Sequence, residues 1–402
     1  MKGIGRVTCV LLASTFFLFV MFFGASVGQA APKEIVVGIV AGLSGPASEA
    51  YSRISQGASL GADWINEKGG VTIKGEKYVL KLVEGDAMGT IEGTVAAANK
   101  LVYSDKVKFL IGAMPPPPFV GAYSKVVEEN KVFRMLQIAL GISTELNAKD
   151  TYTFGTFPST QGAFAAYDAL SEFYPKAKRI AFICPVDPGA IEELENHKKL
   201  AAAHGLTVVA QEMHQFGAVD FYPLWTKVLA AKPDVVMVHA TIPPWAGSML
   251  KQGRELGFKG VFMVPNCNND PYPVRDIAGA FATDYIGVNY DTHNPATMTP
   301  EMKEFARMVK EKYNTDSPMD HFNGIEAIWL VAQTIEHAQS LDPTVVRDRF
   351  PMTKDFKTIY GPGKVGGKKF YGRDCAVYRP VQVIRFMEGK IQHVRWVMPK
   401  GE

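Results

Sequence analysis

Apolar runs and helical periodicity alternate along this chain. Residues 35–41 form a continuous apolar run, which predicts a buried strand, and the turn at 42–46 breaks it with two glycines and a proline. Residues 56–67 then show apolar positions at helical spacing, and Gly69 ends the helix. Such a strand, turn and helix form the first unit of an open α/β sheet, in which ligands bind at the carboxyl ends of the strands.

The alternation continues in two series and then changes. Further strands of the first series are predicted at residues 78–84, 107–111 and 132–136. After an extended segment at 151–158, the second series has strands at 179–184, 207–213, 234–239, 261–265 and 286–290. Helices at 300–313 and 323–339 and a hairpin at 381–397 complete the pattern. Two consecutive series predict an α/β fold with two parallel sheets and helices on both faces of each.

Residues 1–30 have the pattern of a signal peptide. Lys2 and Arg6 precede an uncharged apolar stretch at 7–23, and Gly28 and Ala30 fit a cleavage site after Ala30. The alternative is an uncleaved membrane anchor, because the apolar stretch approaches the length that spans a bilayer. No later uncharged segment reaches that length, so we expect a soluble exported protein.

Charge and cysteine content add little. The 43 basic and 40 acidic residues nearly cancel, which gives no argument for nucleic acid or for a strongly charged partner. Cys184, Cys267 and Cys375 follow the signal peptide. They form either one disulfide plus a free thiol or three small buried side chains.

Recognisable catalytic and metal motifs are missing from the sequence. The string G-x-G-x-x-G at 361–366 contains Pro362 and lacks a flanking strand and helix, so we interpret it as a loop. His197 and His204 lie seven residues apart without a carboxylate or thiol at metal spacing, which indicates a solvated helix face. We expect no catalytic residue, no metal and no cofactor, although a hydrolase triad assembled in space stays an alternative. Two lobes without catalytic motifs suit a binding protein that closes on a ligand.

Several segments resemble those of a known family. They include Leu43-Ser44-Gly45-Pro46, the helix end Asn66-Glu67-Lys68-Gly69-Gly70, and the stretch 250–257, Leu-Lys-Gln-Gly-Arg-Glu-Leu-Gly. In this order, and with others across the mature chain, they are similar to type I periplasmic solute-binding proteins. The particular subgroup is the leucine/isoleucine/valine-binding protein family of ABC transporters.

This resemblance implies two Rossmann-like lobes joined by three hinge crossings. Lobe 1 would contain residues 31–157 and 293–374, and lobe 2 would contain 158–292 and 375–402. A small ligand would bind between the lobes of a periplasmic monomer and pass to a membrane ABC permease. The same fold also serves sensory ligand-binding proteins, which is the alternative function.

The segment after residue 112 departs from the family pattern. Amino-acid binders place hydroxyl groups there for the ligand carboxylate, whereas this chain has four prolines at 115–118. Pro116 takes the position of the key serine and offers neither a hydroxyl nor an N–H group. The resemblance leaves the backbone N–H groups of Phe119 and Val120 as donors for an anion. The alternative is a polyproline wall without ligand contact.

Two further family positions also differ. Gly141, Ile142 and Ser143 lie in the second ligand segment, and Ile142 or Ser143 takes the place of a threonine. Asn266, followed closely by Asn268, replaces the glutamate that pairs the ligand ammonium. An amide cannot neutralise a buried ammonium group, and an unpaired buried charge is costly. A shift of the loop would let Asp270 substitute, which keeps amino-acid binding as an alternative.

The remaining candidate ligand contacts are Tyr51, beside the family's tyrosine position, and Asp187, Trp245 and His321 in segments expected at the cleft. Trp245 could instead be a packing residue at a helix start. The predicted pocket is apolar and aromatic, with amide donors and few charges. We therefore predict an aromatic or apolar carboxylate, or an amide, rather than a standard amino acid; a genuine branched-chain amino-acid binder is the alternative.

Overall fold

The computed structural model describes residues 32–45, 48–113, 117–137, 146–156, 159–215, 217–265, 270–316 and 318–399. The first six strands in chain order are β1 (Lys33–Ala41), β2 (Val71–Ile73), β3 (Glu76–Asp86), β4 (Phe109–Gly112), β5 (Phe133–Leu136) and β6 (Thr153–Gly155). Those that follow are β7 (Arg179–Pro185), β8 (Thr207–His214), β9 (Val235–Val238), β10 (Val261–Val264) and β11 (Tyr285–Asn289). The last are β12 (Phe356–Thr358), β13 (Gly361–Gly366), β14 (Ala376–Tyr378), β15 (Val381–Met387) and β16 (Lys390–Val397).

The helices cover the faces of the sheets formed by these strands. In the first half they are α1 (Ser48–Glu67), α2 (Ile91–Asn99), α3 (Pro117–Ala122), α4 (Ser124–Glu129), α5 (Ser159–Phe173) and α6 (Pro188–Ala203). In the second half they are α7 (Tyr222–Ala230), α8 (Pro243–Glu255), α9 (Pro271–Ala278), α10 (Pro300–Tyr313), α11 (Met319–Ala338), α12 (Pro343–Arg349) and α13 (Lys368–Tyr371). Within the described ranges, no helix is both long and apolar enough to cross a membrane.

Two separate sheets form the centres of two lobes, which confirms the predicted α/β fold. Among the described residues, the sheet of lobe 1 has the order β12-β13-β14-β6-β5-β4-β1-β3-β2, and that of lobe 2 has the order β16-β15-β11-β10-β9-β7-β8. The central strands of both are parallel, whereas β2, β12, β13, β15 and β16 pair antiparallel at the edges. The sheets are therefore mixed rather than purely parallel.

Apolar residues of the central strands explain this arrangement. Strands β4, β5, β9 and β10 are buried along their whole length, as expected for strands covered on both faces. The chain leaves one sheet for the other after β6, after β11 and after β14. These are the three crossings implied by the family resemblance.

Two boundaries differ from the sequence prediction. The third crossing lies after Tyr378 rather than at residue 374, because β14 pairs with β6 and Gly155 N donates to Cys375 O at 2.9 Å. The glycine-rich stretch 361–366 is the strand β13 and not a loop. Its backbone bonds to β12 on one side and β14 on the other, so pairing compensates for its weak strand propensity.

The second and third crossings pack against each other. Tyr290, just after β11, stacks on Tyr360 with ring centroids 3.8 Å apart and donates a hydrogen bond to Pro380 O at 3.1 Å. Arg379 lies over the Tyr360 ring at 4.1 Å and forms an ion pair with Glu326 of α11. Both ion-pair side chains are 1% exposed, so a charge pair is buried beside the hinge.

Candidate functional site

Two helices of lobe 1 cross beside the carboxyl edge of its sheet, and the crossing positions the predicted residue Tyr51. Helix α1 approaches α11 closely because glycines occupy the contact. A Cβ atom at Gly324 would lie 1.9 Å from the Ile54 carbonyl oxygen, and one at Gly57 would lie 2.1 Å from the His321 carbonyl oxygen. This packing brings the first turns of α1 and α11 together.

These first turns carry opposite charges. Arg53 Nη1 lies 3.7 Å from Asp320 Oδ2, and both side chains are 36% exposed. Arg53 also pairs with Glu49, one turn earlier in α1. Burial raises the pKa of Asp320, the Arg53 charge opposes this, and the charges of Asp270 and Glu49 add to the increase. Burial and then the Asp320 charge raise the pKa of Tyr51.

His321, a predicted ligand contact, lies inside lobe 1. It is 1% exposed, its Nε2 lies 3.2 Å from Gln56 Oε1, and its ring stacks on Tyr313 with centroids 4.9 Å apart. Burial and then the Arg53 charge lower its pKa to about 4, so the ring is neutral at pH 7. The structure thus places His321 behind the surface that Tyr51 and Arg53 form.

Lobe 2 contributes Asp270 at the start of α9. This carboxylate caps the helix, accepting a hydrogen bond from Tyr272 N at 2.9 Å, and its Oδ2 lies 3.2 Å from His293 Nε2. The Asp270 hydrogen bond raises the pKa of His293, although burial opposes it. The Tyr272 and His293 rings are 4.0 Å apart, and burial followed by the Asp291 charge raises the pKa of Tyr272 to about 12.

The two halves of this site belong to different lobes. Asp270 follows β10 of lobe 2, whereas Asp320 lies in the first turn of α11 of lobe 1, and the Asp270 charge still raises the pKa of Asp320. The Asp270 and Asp320 carboxylates are therefore close enough for their charges to interact across the two lobes. Tyr51, Arg53 and Asp320 on one side and Asp270 and Tyr272 on the other define what we call the interlobe site.

The other predicted contacts in lobe 2 have structural roles. Asp187 caps α6, where its carboxylate accepts a hydrogen bond from Ala190 N at 3.0 Å. Trp245, in the first turn of α8, is half-buried against the core of lobe 2, and its ring lies 5.0 Å from that of His214 in an edge-to-face arrangement. Both residues follow strand ends at the carboxyl edge, and ligand contact by either one stays a prediction.

Phe119 and Val120 lie in the short helix α3. Phe119 is half-buried against an apolar cluster of lobe 1, and Val120 is fully buried. The Val120 carbonyl oxygen accepts a hydrogen bond from Arg134 Nη1 at 2.9 Å. Pro116, Gly141, Ile142, Ser143, Asn266 and Asn268 lie outside the described residues and remain predictions.

The turn after β1 is held by a carboxylate of the protein itself. Asp86, at the end of β3, accepts hydrogen bonds from Leu43 N at 2.9 Å, Ser44 N at 3.2 Å and Ser44 Oγ at 2.6 Å. Burial alone would raise the pKa of Asp86, yet these bonds and one from Met88 N lower it overall. The donors that the turn could offer an anion are therefore used inside lobe 1.

Lobe 2 also buries a pair of histidines near its carboxyl edge. His197 is 1% exposed, which corrects its interpretation as part of a solvated helix face, and its ring lies 4.9 Å from that of His239. Burial lowers the pKa of His197 to about 3, and burial with the His197 charge lowers that of His239 to about 4. In the part of the chain that the structure describes, no group of three or more His, Cys, Asp or Glu side chains is arranged to hold a metal ion.

Arg53, Tyr272 and Asp320 of the interlobe site, and His293 beside Asp270, carry no motif in the sequence. His293 lies at the predicted second crossing, and this position is the one signal that could have found it. Arg53 lies two residues after Tyr51, and only the glycine contact between α1 and α11 explains why it meets Asp320.

Comparison with known proteins agrees with this two-lobed arrangement. The sequence profile of the periplasmic binding protein family matches residues 34–387. The chain belongs to this family. Its relatives include the Leu/Ile/Val-binding protein BraC3 of Rhizobium johnstonii, 28% identical over 336 residues that cover 82% of this chain and 87% of the relative. The Leu/Ile/Val-binding protein of Citrobacter freundii is 30% identical over 340 residues, covering 82% and 86%.

Solved structures show the same fold. The branched-chain amino acid transporter substrate binding protein LivJ from Streptococcus pneumoniae, in complex with isoleucine, has a TM-score of 0.70 at 19% identity and covers 91% of this chain and 100% of that one. An ABC transporter solute binding protein from R. palustris, in complex with 4-hydroxybenzoate, has a TM-score of 0.72 at 18% identity, covering 92% and 98%. The protein is therefore an extracytoplasmic solute-binding protein of the type I periplasmic fold, and at these identities the structures support the fold alone.

Proposed function

We propose that this protein is the substrate-binding protein of an ABC transporter, which captures a small ligand between its lobes and delivers it to a membrane permease. The interlobe site supports this proposal, since Tyr51 and Arg53 of lobe 1 lie opposite Asp270 and Tyr272 of lobe 2. A ligand that contacts both sides stabilises the closed form, because those contacts exist together only when the lobes meet.

We infer further that the ligand is an aromatic or apolar carboxylate or amide rather than a standard amino acid. This inference depends on the contacts that the Asp270 carboxylate already makes. Its carboxylate already caps α9 and lies 3.2 Å from His293 Nε2, so pairing with a ligand ammonium would cost both interactions. Asn266, at the family's glutamate position, offers no compensating charge.

Aromatic and cationic groups of the interlobe site complement an aromatic carboxylate. Tyr51 and Tyr272 supply aromatic faces from opposite lobes, and Arg53 supplies a guanidinium group that suits a carboxylate. His321 would position α1 from behind. We retain as proposed ligand contacts Pro116, Phe119, Val120, Gly141, Ile142, Ser143, Asp187, Trp245, Asn266 and Asn268.

Mass spectrometry of the ligand released from denatured protein tests the ligand class. Calorimetric titration then compares benzoate, 4-hydroxybenzoate and leucine. We expect at least one aromatic acid to bind with a dissociation constant of roughly micromolar or below. Arg53→Ala should weaken this binding, whereas Lys125→Ala on exposed α4 should not. Leucine binding in that range without aromatic-acid binding would refute the ligand class and leave the transport function intact.

Branched-chain amino-acid binding is the second candidate, favoured by relatives that carry the name Leu/Ile/Val-binding protein at 28–30% identity. In that case Asp320, beside Tyr51, would be the carboxylate that pairs the ammonium. Asp320→Asn would then abolish leucine binding, whereas it would leave the affinity for an aromatic acid unchanged or higher.

Exposed apolar residues follow strand ends at the carboxyl edges of both lobes and suit contact with the permease. In lobe 1 they are Met88 and Ile91, after β3, and in lobe 2 they are Val186, Val219 and Ile242, after β7, β8 and β9. Exposed apolar surface of this kind marks interaction sites. We propose that the monomeric protein docks onto the permease through these exposed apolar residues. Genes for a permease and an ATPase beside this one would support transport, and a neighbouring sensor kinase would support the sensory alternative.

A further inference from the structure

A groove of about 700 Å³ lies on lobe 2, away from the interlobe site. The segments that precede strands form it: residues 173–177 before β7, Lys232–Asp234 before β9, and 257–260 before β10. These strands are parallel, so the groove occupies the amino edge of the sheet, whereas Asp270 and Tyr272 lie at the carboxyl edge. We call this feature the amino-edge groove. Its volume is within the range of small-molecule sites.

The floor of the amino-edge groove is apolar and aromatic. Phe173, Tyr174, Leu229 and Phe258 line it together with Val261. The floor is also fixed, because Phe258 and Val261 are buried in the core of lobe 2. A planar apolar body could therefore stack there without rearrangement of the sheet.

The rim of the groove is cationic. Lys176, Lys232 and Lys259 are exposed, and none of them forms an ion pair with a residue that the structure describes. The nearby carboxylates are engaged elsewhere. Asp234 Oδ2 accepts hydrogen bonds from two backbone N–H groups, at 2.8 and 2.9 Å, and Asp284 Oδ1 accepts one from the Tyr174 hydroxyl at 2.9 Å.

Two arginines add positive charge beneath the floor. Arg385 lies over the Phe173 ring at 4.0 Å, and Arg254 Nη1 donates to Phe258 O and Gly260 O, both at 2.8 Å. The Nε atoms of both arginines are buried without a hydrogen-bond partner in the described structure. Five cationic side chains thus surround the groove against two carboxylates, which gives it a positive potential.

We propose that the amino-edge groove is a second ligand site, for a small organic anion with an aromatic body, such as an aromatic carboxylate or sulfonate. The aromatic body would pack against the half-buried rings of Phe173 and Tyr174, and the anionic group would reach the three rim lysines. A bare inorganic anion would leave the apolar floor unused. The shared chemistry of an anionic head and an apolar body also occurs in anionic lipids, so the test separates the two sources.

Fluorescence titration with 1-anilinonaphthalene-8-sulfonate at low salt provides the first measurement. The triple variant Lys176→Ala, Lys232→Ala and Lys259→Ala should weaken binding about tenfold, since each exposed charge contributes modestly. The matched control Lys199→Ala, Lys227→Ala and Lys251→Ala removes the same charge from other surfaces of lobe 2 and should leave the affinity unchanged. Salt should weaken binding to the parent protein and have little effect on the rim variant.

Two further experiments distinguish binding in the amino-edge groove from binding in the interlobe site and from lipid binding. Because the proposed transport ligand is also an aromatic anion, the titration is repeated in Tyr51→Ala, which removes a contact of the interlobe site. The rim variant should still weaken sulfonate binding about tenfold in this background; if Tyr51→Ala abolishes binding while the rim variant binds normally, the proposal is overturned. Sedimentation with phosphatidylglycerol vesicles tests lipid, and vesicle binding without binding of the free sulfonate overturns it as well. Equal thermal midpoints of the two lysine variants show that both are folded. None of these outcomes bears on the transport function, because the two sites are separate.

Discussion

The two lobes bury polar groups in different ways. Lobe 1 buries charged groups with partners: the Arg134 guanidinium donates to Thr153 Oγ1, Ser124 Oγ and Val120 O at 2.8 to 3.0 Å, and Glu326 of α11 pairs with Arg379 at the hinge. Lobe 2 instead buries two adjacent neutral imidazoles, in which His197 Nε2 and His239 Nδ1 have no hydrogen-bond partner in the described structure, whereas His321 is the one such histidine of lobe 1. Removal of one member of a buried pair should therefore destabilise lobe 1 most, whereas protonation of the buried histidines should destabilise lobe 2 more than lobe 1.

The largest expected effect concerns the buried pair at the hinge. Glu326→Gln leaves the Arg379 charge buried without its counterion and should lower the free energy of unfolding by about 3–5 kcal/mol. Denaturant unfolding measures this change. The control Glu311→Gln, at an exposed position of α10, should have almost no effect. Replacing both Glu326 and Arg379 with methionine should recover most of the loss.

Acidification should affect lobe 2 more than lobe 1, where His321 is the one buried histidine among the described residues. His197 and His239 stay neutral in the folded state down to pH values of about 3 and 4, whereas both bind protons near pH 6.5 when unfolded. The unfolded state then holds more protons, so stability falls as the pH drops below 6.5, by about 2 kcal/mol for each histidine at pH 5. Hydrogen exchange should show earlier loss of protection in β7 and β9 than in β1 and β4. Equal loss in both lobes would contradict the comparison.

The glycine contact of lobe 1 should tolerate no side chain. Gly324→Ala places a methyl group 1.9 Å from the Ile54 carbonyl oxygen, and the resulting shift should lower the free energy of unfolding by about 1–3 kcal/mol. Ligand binding should also weaken, because the shift moves Tyr51 and Arg53. Gly121→Ala is the matched control, since its added methyl group meets nothing within 4 Å. Calorimetric unfolding and ligand titration measure the two effects.

The smallest expected effect concerns Asp270. Asp270→Asn keeps a side chain that caps α9 but removes the charge beside His293, so the pKa of His293 should fall towards its usual value. The stabilisation from this pair exists when His293 is protonated and is lost as the pH rises through its raised pKa. We expect a cost of about 1 kcal/mol or less below that pKa and none above it. Titration of His293 by NMR, with and without the substitution, is the measurement.

The sequence could predict features that depend on neighbouring residues, but not those that depend on residues far apart in the chain. The helix predicted at 323–339 is α11, but it begins at Met319, because packing on α1 extends it where the sequence has only Pro318 and no capping side chain. The sequence predicts the turn at 43–45 but not the hydrogen bonds that Asp86 accepts from it, because no local pattern links residues 43 positions apart. Strand β13 was missed because its glycines and lysines carry no strand pattern, and pairing on both sides decides its structure.

By itself, the sequence determined the α/β class, the two series of strands and helices, and the family, because periodicity and short segments are local properties of the chain. The tertiary structure decided which side chains meet. Arg53 reaches Asp320 through the contact of two glycines, His197 is buried rather than solvated, and three segments distant in sequence form the amino-edge groove. These outcomes depend on how helices and strands pack. Packing brings together residues that are far apart in the sequence, so local sequence patterns do not reveal it.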